Sequence, residues 1–480
     1  MIGPPGIPMS QWRFFGATIG LVASARRGSN IRGSMSKLVL LSLLMASGCA
    51  RAEAQAPTAA AASDVSTVRP WRNDPRFQRI ATALAATKAI DNHTHLVERR
   101  PFLPELETEV PVLLRAGNPG TVSVLKSRLG IDWDPKQAEA LDKQGRERRE
   151  ALVREAGGES AYWTEHLNLA GVDLALVNQE WPLTQGNDRL KWVPNATTLL
   201  YPVDSRQVEA RNPGVASDVK VVREAMGKLF SSARVARPPK DLLAYLGFVD
   251  AQLARWKSEG AVAVKFYDAY LRTLLFREVP RAHAEAIYAR GLTTSLARAD
   301  YLTLQDYLAR HIFLAAGKVQ LPVHIHSSHG GGPFLRLGES DVRLLEEVLD
   351  DPRFFGTNFV LIHGGAPLIE EAAYLASNKA NVWIDMSALP FLYPTPDLAA
   401  AIRKYVTFAP ERTLFSTDSG GAPTIPIGPE VQHLFLAPAT REALTLALSD
   451  LVRDGVWDEA TAIRVGQGVL RENARRLYGF

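Results

Sequence analysis

From Trp71 onward, short apolar runs alternate along the chain with stretches of helical length. That alternation is the pattern of parallel βα units. The strands it predicts are Lys88–His95, Val172–Asn178, Thr197–Val203, Ala261–Tyr267, Leu321–His326, Asn358–His363, Asn381–Met386 and Arg412–Asp418. Helices are expected between them, among them Pro239–Ser258, Leu302–Ala316, Ser340–Leu349, Leu368–Ser377, Asp397–Tyr405 and Glu442–Arg453. Eight strands close a (β/α)8, or TIM, barrel, so residues 71–480 read as one α/β domain although their length would accommodate more. The connection after the first strand, Leu96 to Gly171, is much longer than the others. Its Pro101, Pro104, Pro111 and Pro119 predict a loop, followed by a charged helix near Pro135–Gly157. Such an insertion is either a lid over the barrel or a surface decoration.

In a barrel of this kind the chemistry gathers at the C-terminal ends of the strands. The first predicted strand ends Asp91-Asn92-His93-Thr94-His95. Residues two apart on a strand share a face, so both imidazoles are expected to project into the barrel mouth, as two ligands of one metal require. Strand five ends His324-Ile325-His326, strand six His363-Gly364-Gly365 and strand eight Thr417-Asp418, while strand four carries Lys265. Imidazole nitrogen and carboxylate oxygen are the donors that a divalent ion such as zinc takes, with a position left open for water.

These pieces, in this order, resemble the amidohydrolase superfamily, specifically its amidohydrolase-related branch. The resemblance rests on Ile90-Asp91-Asn92-His93-Thr94-His95, Leu321-Pro322-Val323-His324-Ile325-His326, Val360-Leu361-Ile362-His363-Gly364-Gly365 and Leu414-Phe415-Ser416-Thr417-Asp418. Val382-Trp383-Ile384-Asp385-Met386-Ser387 is similar to that branch's seventh strand. The likeness runs from Lys88 to the C terminus, firm at the strand ends and loose across the first insertion. It implies that His93, His95, His326 and Asp418 bind the metal, and that His363 either ligates a second ion or polarises the bond under attack. In binuclear relatives a strand-four lysine is carboxylated by CO2 and bridges two ions. Lys265 stands where it would do so, where an unmodified amine would bind a substrate carboxylate or oxyanion, or where it would pair structurally with Asp268 or Asp385. His324 is expected to pack one register deeper and His329 to lie in a loop near substrate. His166, His283, His311 and His433 read as ordinary surface or core residues. Tyr267, Tyr270, Phe334, Phe391 and Tyr393 are candidates for the pocket rim.

The composition, 46% apolar and 22% charged over 480 residues, excludes a disordered or fibrous chain. The single cysteine, Cys49, excludes an internal disulfide, a cysteine-rich zinc site and an iron–sulfur cluster. Cys49 follows Met35-Ser36-Lys37, the apolar run Leu38 to Met45, and Ala46-Ser47-Gly48, the parts of a secretory signal. The apolar run is far shorter than the roughly 20 residues of a membrane-spanning helix. Ala46-Ser47-Gly48-Cys49 is similar to a bacterial lipobox, with Ala46 where such boxes more often have leucine. That implies cleavage before Cys49, a lipid on its sulfur, and an exported, periplasmic protein anchored to a membrane. Residues 1–48 are then an extension and signal peptide, translated from Met1 or Met35, and residues 49–70 an Ala- and Ser-rich tether. The whole chain carries a formal charge of +4, but residues 1–48 hold five basic and no acidic residues, leaving −1 on the remainder. Nothing therefore recommends nucleic acid as a partner, and a small-molecule substrate is expected.

A bound divalent ion lowers the pKa of a coordinated water from 15.7 to about 7. Asp418 beside it can take the water's proton and pass it to the leaving group, with His363 or the ion polarising the carbonyl. The chemistry expected is metal-dependent hydrolysis of a C–N or C–O bond in an amide, ester or lactone, with one or two ions, zinc by preference. One other reading is decarboxylation of an aromatic or unsaturated acid held by Arg272 or by Arg99 and Arg100. A non-catalytic lipoprotein that binds a metal or ligand is another.

Overall fold

The computed structural model describes residues 69–98, 102–209, 213–235, 237–331, 335–420 and 423–480. The expected signal segment, Cys49, Arg99, Arg100 and Phe334 lie outside the described residues. Trp71 to Phe480 fall in one compact unit.

Eight parallel strands form the centre: β1 (Ala89–Thr94), β2 (Val172–Asn178), β3 (Leu190–Val193), β4 (Val264–Phe266), β5 (Val323–His326), β6 (Phe359–Ile362), β7 (Val382–Asp385) and β8 (Thr413–Leu414). Nearly every residue in them is buried, as a sheet covered by helices requires. They run as two ladders, β1-β2-β3 and β4-β5-β6-β7-β8. At one seam the bridges Trp192↔Ala261 and Asn195↔Lys265 lead from β3 to β4. At the other, β8 and the residues after it meet β1 through Asn92 N to Phe415 O (3.0 Å), Asp418 N to His93 O (2.9 Å) and His95 N to Ser419 O (2.9 Å). With helices between successive strands, β2 and β3 excepted, this is a (β/α)8 barrel.

Seven of the eight predicted strands contain the observed ones. The third does not. Thr197–Val203 holds no strand; its first residues belong to a buried 3-10 turn, Ala196–Leu200. The hydroxyls of Thr197 and Thr198 there bond to the carboxylates of Asp268 (2.8 Å) and Glu180 (3.0 Å). Pro202 has no N–H for a ladder. The place beside β2 is taken instead by Leu190-Lys191-Trp192-Val193, in register with Ala175 to Asn178.

The long first connection is mostly helical. It contains Pro119–Leu129, Ala138–Ala156 and Glu159–Leu169, each started or stopped by local signals: Asn118 accepts the Gly120 N–H, and Gly130 and Gly157 end their helices in the left-handed region. Arg149 ties this insertion to the last long helix, Gly428–Arg453, through a buried ion pair with Glu430 at 2.7 Å.

A second, smaller apolar cluster fills the barrel below the strand ends. Ile90, Leu176, Val193, Val360, Trp383 and Leu414 come from six strands, and Ala474 and Leu477 from the C-terminal helix Asn473–Tyr478. Among the described residues no helix is long and apolar enough to cross a membrane.

Candidate metal centre

The alternation of β1 is interrupted. Its register against β2 shifts between Asp91 and Thr94. Asn92 donates to Asp385 Oδ2 across the barrel (3.0 Å), whereas Asp91 lies 3.3 Å from His433 on the helix Gly428–Arg453. His93 and His95 both reach Asp418, with Nε2 to Oδ1 distances of 3.4 and 3.7 Å. The three donor atoms lie within 4.8 Å of one another, and all three residues are buried. Two ligands at 2.0–2.1 Å from a tetrahedral zinc are separated by about 3.4 Å, so this spacing fits one small divalent ion.

Asp418 is held there by its neighbours against backbone strain. Its φ is +57°, and Ser328, His363 and Ala388, which follow β5, β6 and β7, also have positive φ. Four successive strands thus end in non-glycine residues in the left-handed region, the concentration of strain expected at a functional rim. Next to Asp418, Thr417 donates its hydroxyl to Asp91 Oδ2 (2.6 Å) and its N–H to Asp91 Oδ1 (3.0 Å), fastening β8 to β1.

Lys265 is buried in β4 with Nζ 3.4 Å from His93 Nε2. Burial pulls its pKa down to about 7, against the opposing pull of Asp418 and Asp385. Near neutral pH the amine is therefore present in both forms. Burial, reinforced by the charge of Lys265, also holds His93 and His326 well below the usual histidine range; both are neutral imidazoles, the form that binds metals.

His326 is not within the close group of three. Its ring lies tilted against Tyr270 (4.6 Å between centroids), and its Nδ1 lies 3.0 Å from His363 Nε2. Its buried Nε2 has no hydrogen-bond partner among the described residues. His363 has both ring nitrogens engaged, since its Nδ1 lies 3.0 Å from Ser387 Oγ. Its backbone N–H bonds Asp385 Oδ1 at 2.9 Å. Its Nδ1 also lies 3.7 Å from Asp418 Oδ2. His329 lies beside His363 and Phe391, with centroids 6.4 and 6.1 Å away, and burial lowers its pKa to about 4.

Some residues fall elsewhere than expected. Arg272 is buried. It pairs with Asp306 and donates to the carbonyls of Thr273 (2.8 Å), Leu275 (3.1 Å) and Leu302 (3.3 Å). Three carbonyls and a carboxylate absorb its donors, which a surface-arginine reading does not foresee. His166 and His433 are not idle either: they stack at 5.2 Å, share a 3.0 Å hydrogen bond, and extend the Asp91 contact into the helical layer. His324 packs below the centre with Nε2 2.7 Å from Tyr478 Oη. Tyr478 in turn donates to Asn92. Asp385, Ser387 and Tyr478 carry no metal-ligand spacing, and only the polar Asp385-Met386-Ser387 end of a buried strand signals two of them.

A family model described as Amidohydrolase matches residues 231–480, just over half of the chain. Protein fluG of Emericella nidulans is 27% identical over 210 residues, which make up 41% of this chain and 22% of that protein; the chain thus spans about a fifth of the length of this relative. Among solved structures, a Lactobacillus casei protein classed as a metal-dependent hydrolase is 17% identical, with a TM-score of 0.52 over 83% of this chain and 97% of that one. Uronate isomerase from Thermotoga maritima is 14% identical, with a TM-score of 0.50 over 84% and 97%. Both likenesses are of fold.

Proposed function

The chain belongs to the amidohydrolase family, and from that premise we propose that it is a metal-dependent hydrolase of a C–N or C–O bond in a small molecule. The observation that carries the proposal is the buried His93, His95 and Asp418 group at the barrel mouth, with its three donor atoms within 4.8 Å. His93 and His95 would hold the ion with Asp418, and zinc suits two imidazoles and a carboxylate. When bound, such an ion supplies Lewis acidity and makes hydroxide available near neutral pH. Asp418 takes a proton from the attacking water and returns it to the leaving nitrogen or oxygen. Lys265, with its pKa near 7, stands beside His93 either as a cation facing developing negative charge or as a neutral amine open to CO2. Tyr270 and Phe391 contribute the aromatic wall near His326 and His329.

Hydrolysis is preferred over decarboxylation because Arg272, the described arginine that would have held a substrate carboxylate, is committed to Asp306. The protein is further proposed to be exported and held at a bacterial membrane by a lipid on Cys49. A Cys49→Ala chain would then appear in the soluble fraction.

The test is metal analysis of protein purified without added metal, followed by a chelator-sensitive screen of esters, lactones, amides and aromatic acids. Release of acid or amine is the expected result. Release of CO2 would name a decarboxylase, and a metal-loaded but silent protein would name a binder.

A further inference from the structure

The chain that leaves β5 is pinned on both sides of His329. Ser327 donates its N–H and its hydroxyl to the Ile362 carbonyl of β6, at 3.2 and 2.9 Å. Ser328 donates its N–H to the Ser340 carbonyl at 2.6 Å, and its hydroxyl accepts the Val342 N–H at 3.3 Å. Ser340 returns its own hydroxyl to the Ser328 carbonyl at 2.8 Å. Ser328 and Ser340 are fully buried, and Ser328 is held at a φ of +58°. A non-glycine residue persists in that region only where its surroundings over-determine it. Beyond His329, the Gly331 N–H donates to Tyr270 Oη at 3.2 Å.

What this clamp positions is one imidazole. The His329 ring lies edge-on to His363 (6.4 Å between centroids) and to Phe391 (6.1 Å). His363 is fully buried and reaches Asp418 at 3.7 Å, whereas His329 is half-buried, so His329 stands one ring outward from the three donors. None of the described residues hydrogen-bonds its ring nitrogens. Burial is the sole influence on its basicity, so no charged group stands close enough to balance a charge on a ligand. A side chain that merely packed here would do better as phenylalanine or leucine, which carry no nitrogens to desolvate. Phe391 offers its ring for edge-to-face contact with a flat aromatic group, and an imidazole beside it offers hydrogen bonds.

We propose that His329 is a specificity residue, which hydrogen-bonds an uncharged polar substituent on an aromatic ring of the substrate while the bond to be cleaved lies at the His93, His95 and Asp418 group. Ser340 is its positioning residue, acting through Ser328. The substrate is then an amide or ester of an aromatic acid that carries a hydroxyl or similar group across the ring. This rests on the hydrolytic reading above and gives it a substrate class.

The test uses two matched probes, para-hydroxybenzamide and benzamide, which differ by the hydroxyl alone. Their dissociation constants are measured by calorimetry on the purified full chain, with metal content determined in parallel. The unchanged chain is expected to favour the hydroxylated probe by about 10-fold, the contribution of one hydrogen bond. His329→Phe keeps an aromatic ring against Phe391 and is expected to abolish that preference. Ser340→Ala is expected to weaken the preference in the His329 chain and to change nothing in the His329→Phe chain, as for a residue that acts through another. No preference in the unchanged chain, or no binding of either probe, would overturn the proposal without any variant having to fold. A preference that survives in His329→Phe would do the same, and equal losses from Ser340→Ala in both chains would remove Ser340 from its role. Turnover is read separately. Hydrolysis of other amides or esters without preference within the pair leaves the hydrolytic reading standing and ends this one, and the expected preference without any turnover does the reverse.

Discussion

Asp418 faces three histidines, with His363 Nδ1 at 3.7 Å completing the set begun by His93 and His95. Asparagine keeps the shape and one oxygen donor but cannot accept a proton. Asp418→Asn is therefore expected to retain bound metal and lose roughly 10²- to 10⁴-fold in kcat, as metal analysis alongside steady-state kinetics would show. Turnover at the wild-type rate would remove Asp418 from the acid–base role. The buried imidazoles also set a pH dependence for the metal-free chain. In the folded state His93, His324, His326 and His363 have pKa values well below 6.5, chiefly through burial. Between that depressed range and 6.5 the unfolded chain binds more protons, so their contribution to stability is complete above pH 6.5 and shrinks as the pH falls. Chelator-treated protein should show a falling denaturation midpoint from pH 7 to pH 5; a flat profile would contradict the burial of these rings.

At the scale of elements, the turn after β6 is the most constrained part of the rim. His363, Gly364 and Gly365 all have positive φ, and the Gly364 carbonyl accepts from Tyr405 Oη at 2.7 Å. A Cβ on Gly364 would collide with the Tyr405 hydroxyl and approach the Asp385 carbonyl oxygen to 2.8 Å. Gly364→Ala is expected to cost about 1–3 kcal/mol in denaturant unfolding and to lower metal affinity, because the turn that aims His363 must move. Wild-type stability and affinity would mean that the turn adapts. This Gly-Gly pair was legible in the sequence because His363-Gly364-Gly365 closes an apolar run at its place in the order of strand ends. So were seven strands, since Val, Ile and Leu runs bounded by helices leave few alternatives. The third strand was not legible: Thr197 to Val203 has strand-like composition, and only the tertiary demand of Asp268 and Glu180 for hydroxyl donors turns it into a 3-10 turn. The same limit hid the Arg272–Asp306 pair and the contacts of Asp385 with Asn92 and the His363 N–H, which join distant segments.

For the molecule as a whole, the last residues are part of the centre's support. Tyr478 enters from the C-terminal helix and joins His324 to Asn92, which holds Asp385. Tyr478→Phe removes one oxygen and strands two buried polar atoms, so a loss of about 1–3 kcal/mol is expected in equilibrium unfolding, with a smaller effect on turnover. A change within a few tenths of a kcal/mol would mean that water replaces the hydroxyl. The seam between β1 and β8 has a temporal meaning as well. Thr417 and Asp91, which fasten it, are 326 positions apart in the chain. A nascent chain can offer His93 and His95, but the Asp418 carboxylate joins them only after β8 has been made and the costly long-range closure onto β1 has formed. A chain made short of β8 thus lacks the carboxylate that completes the group of three.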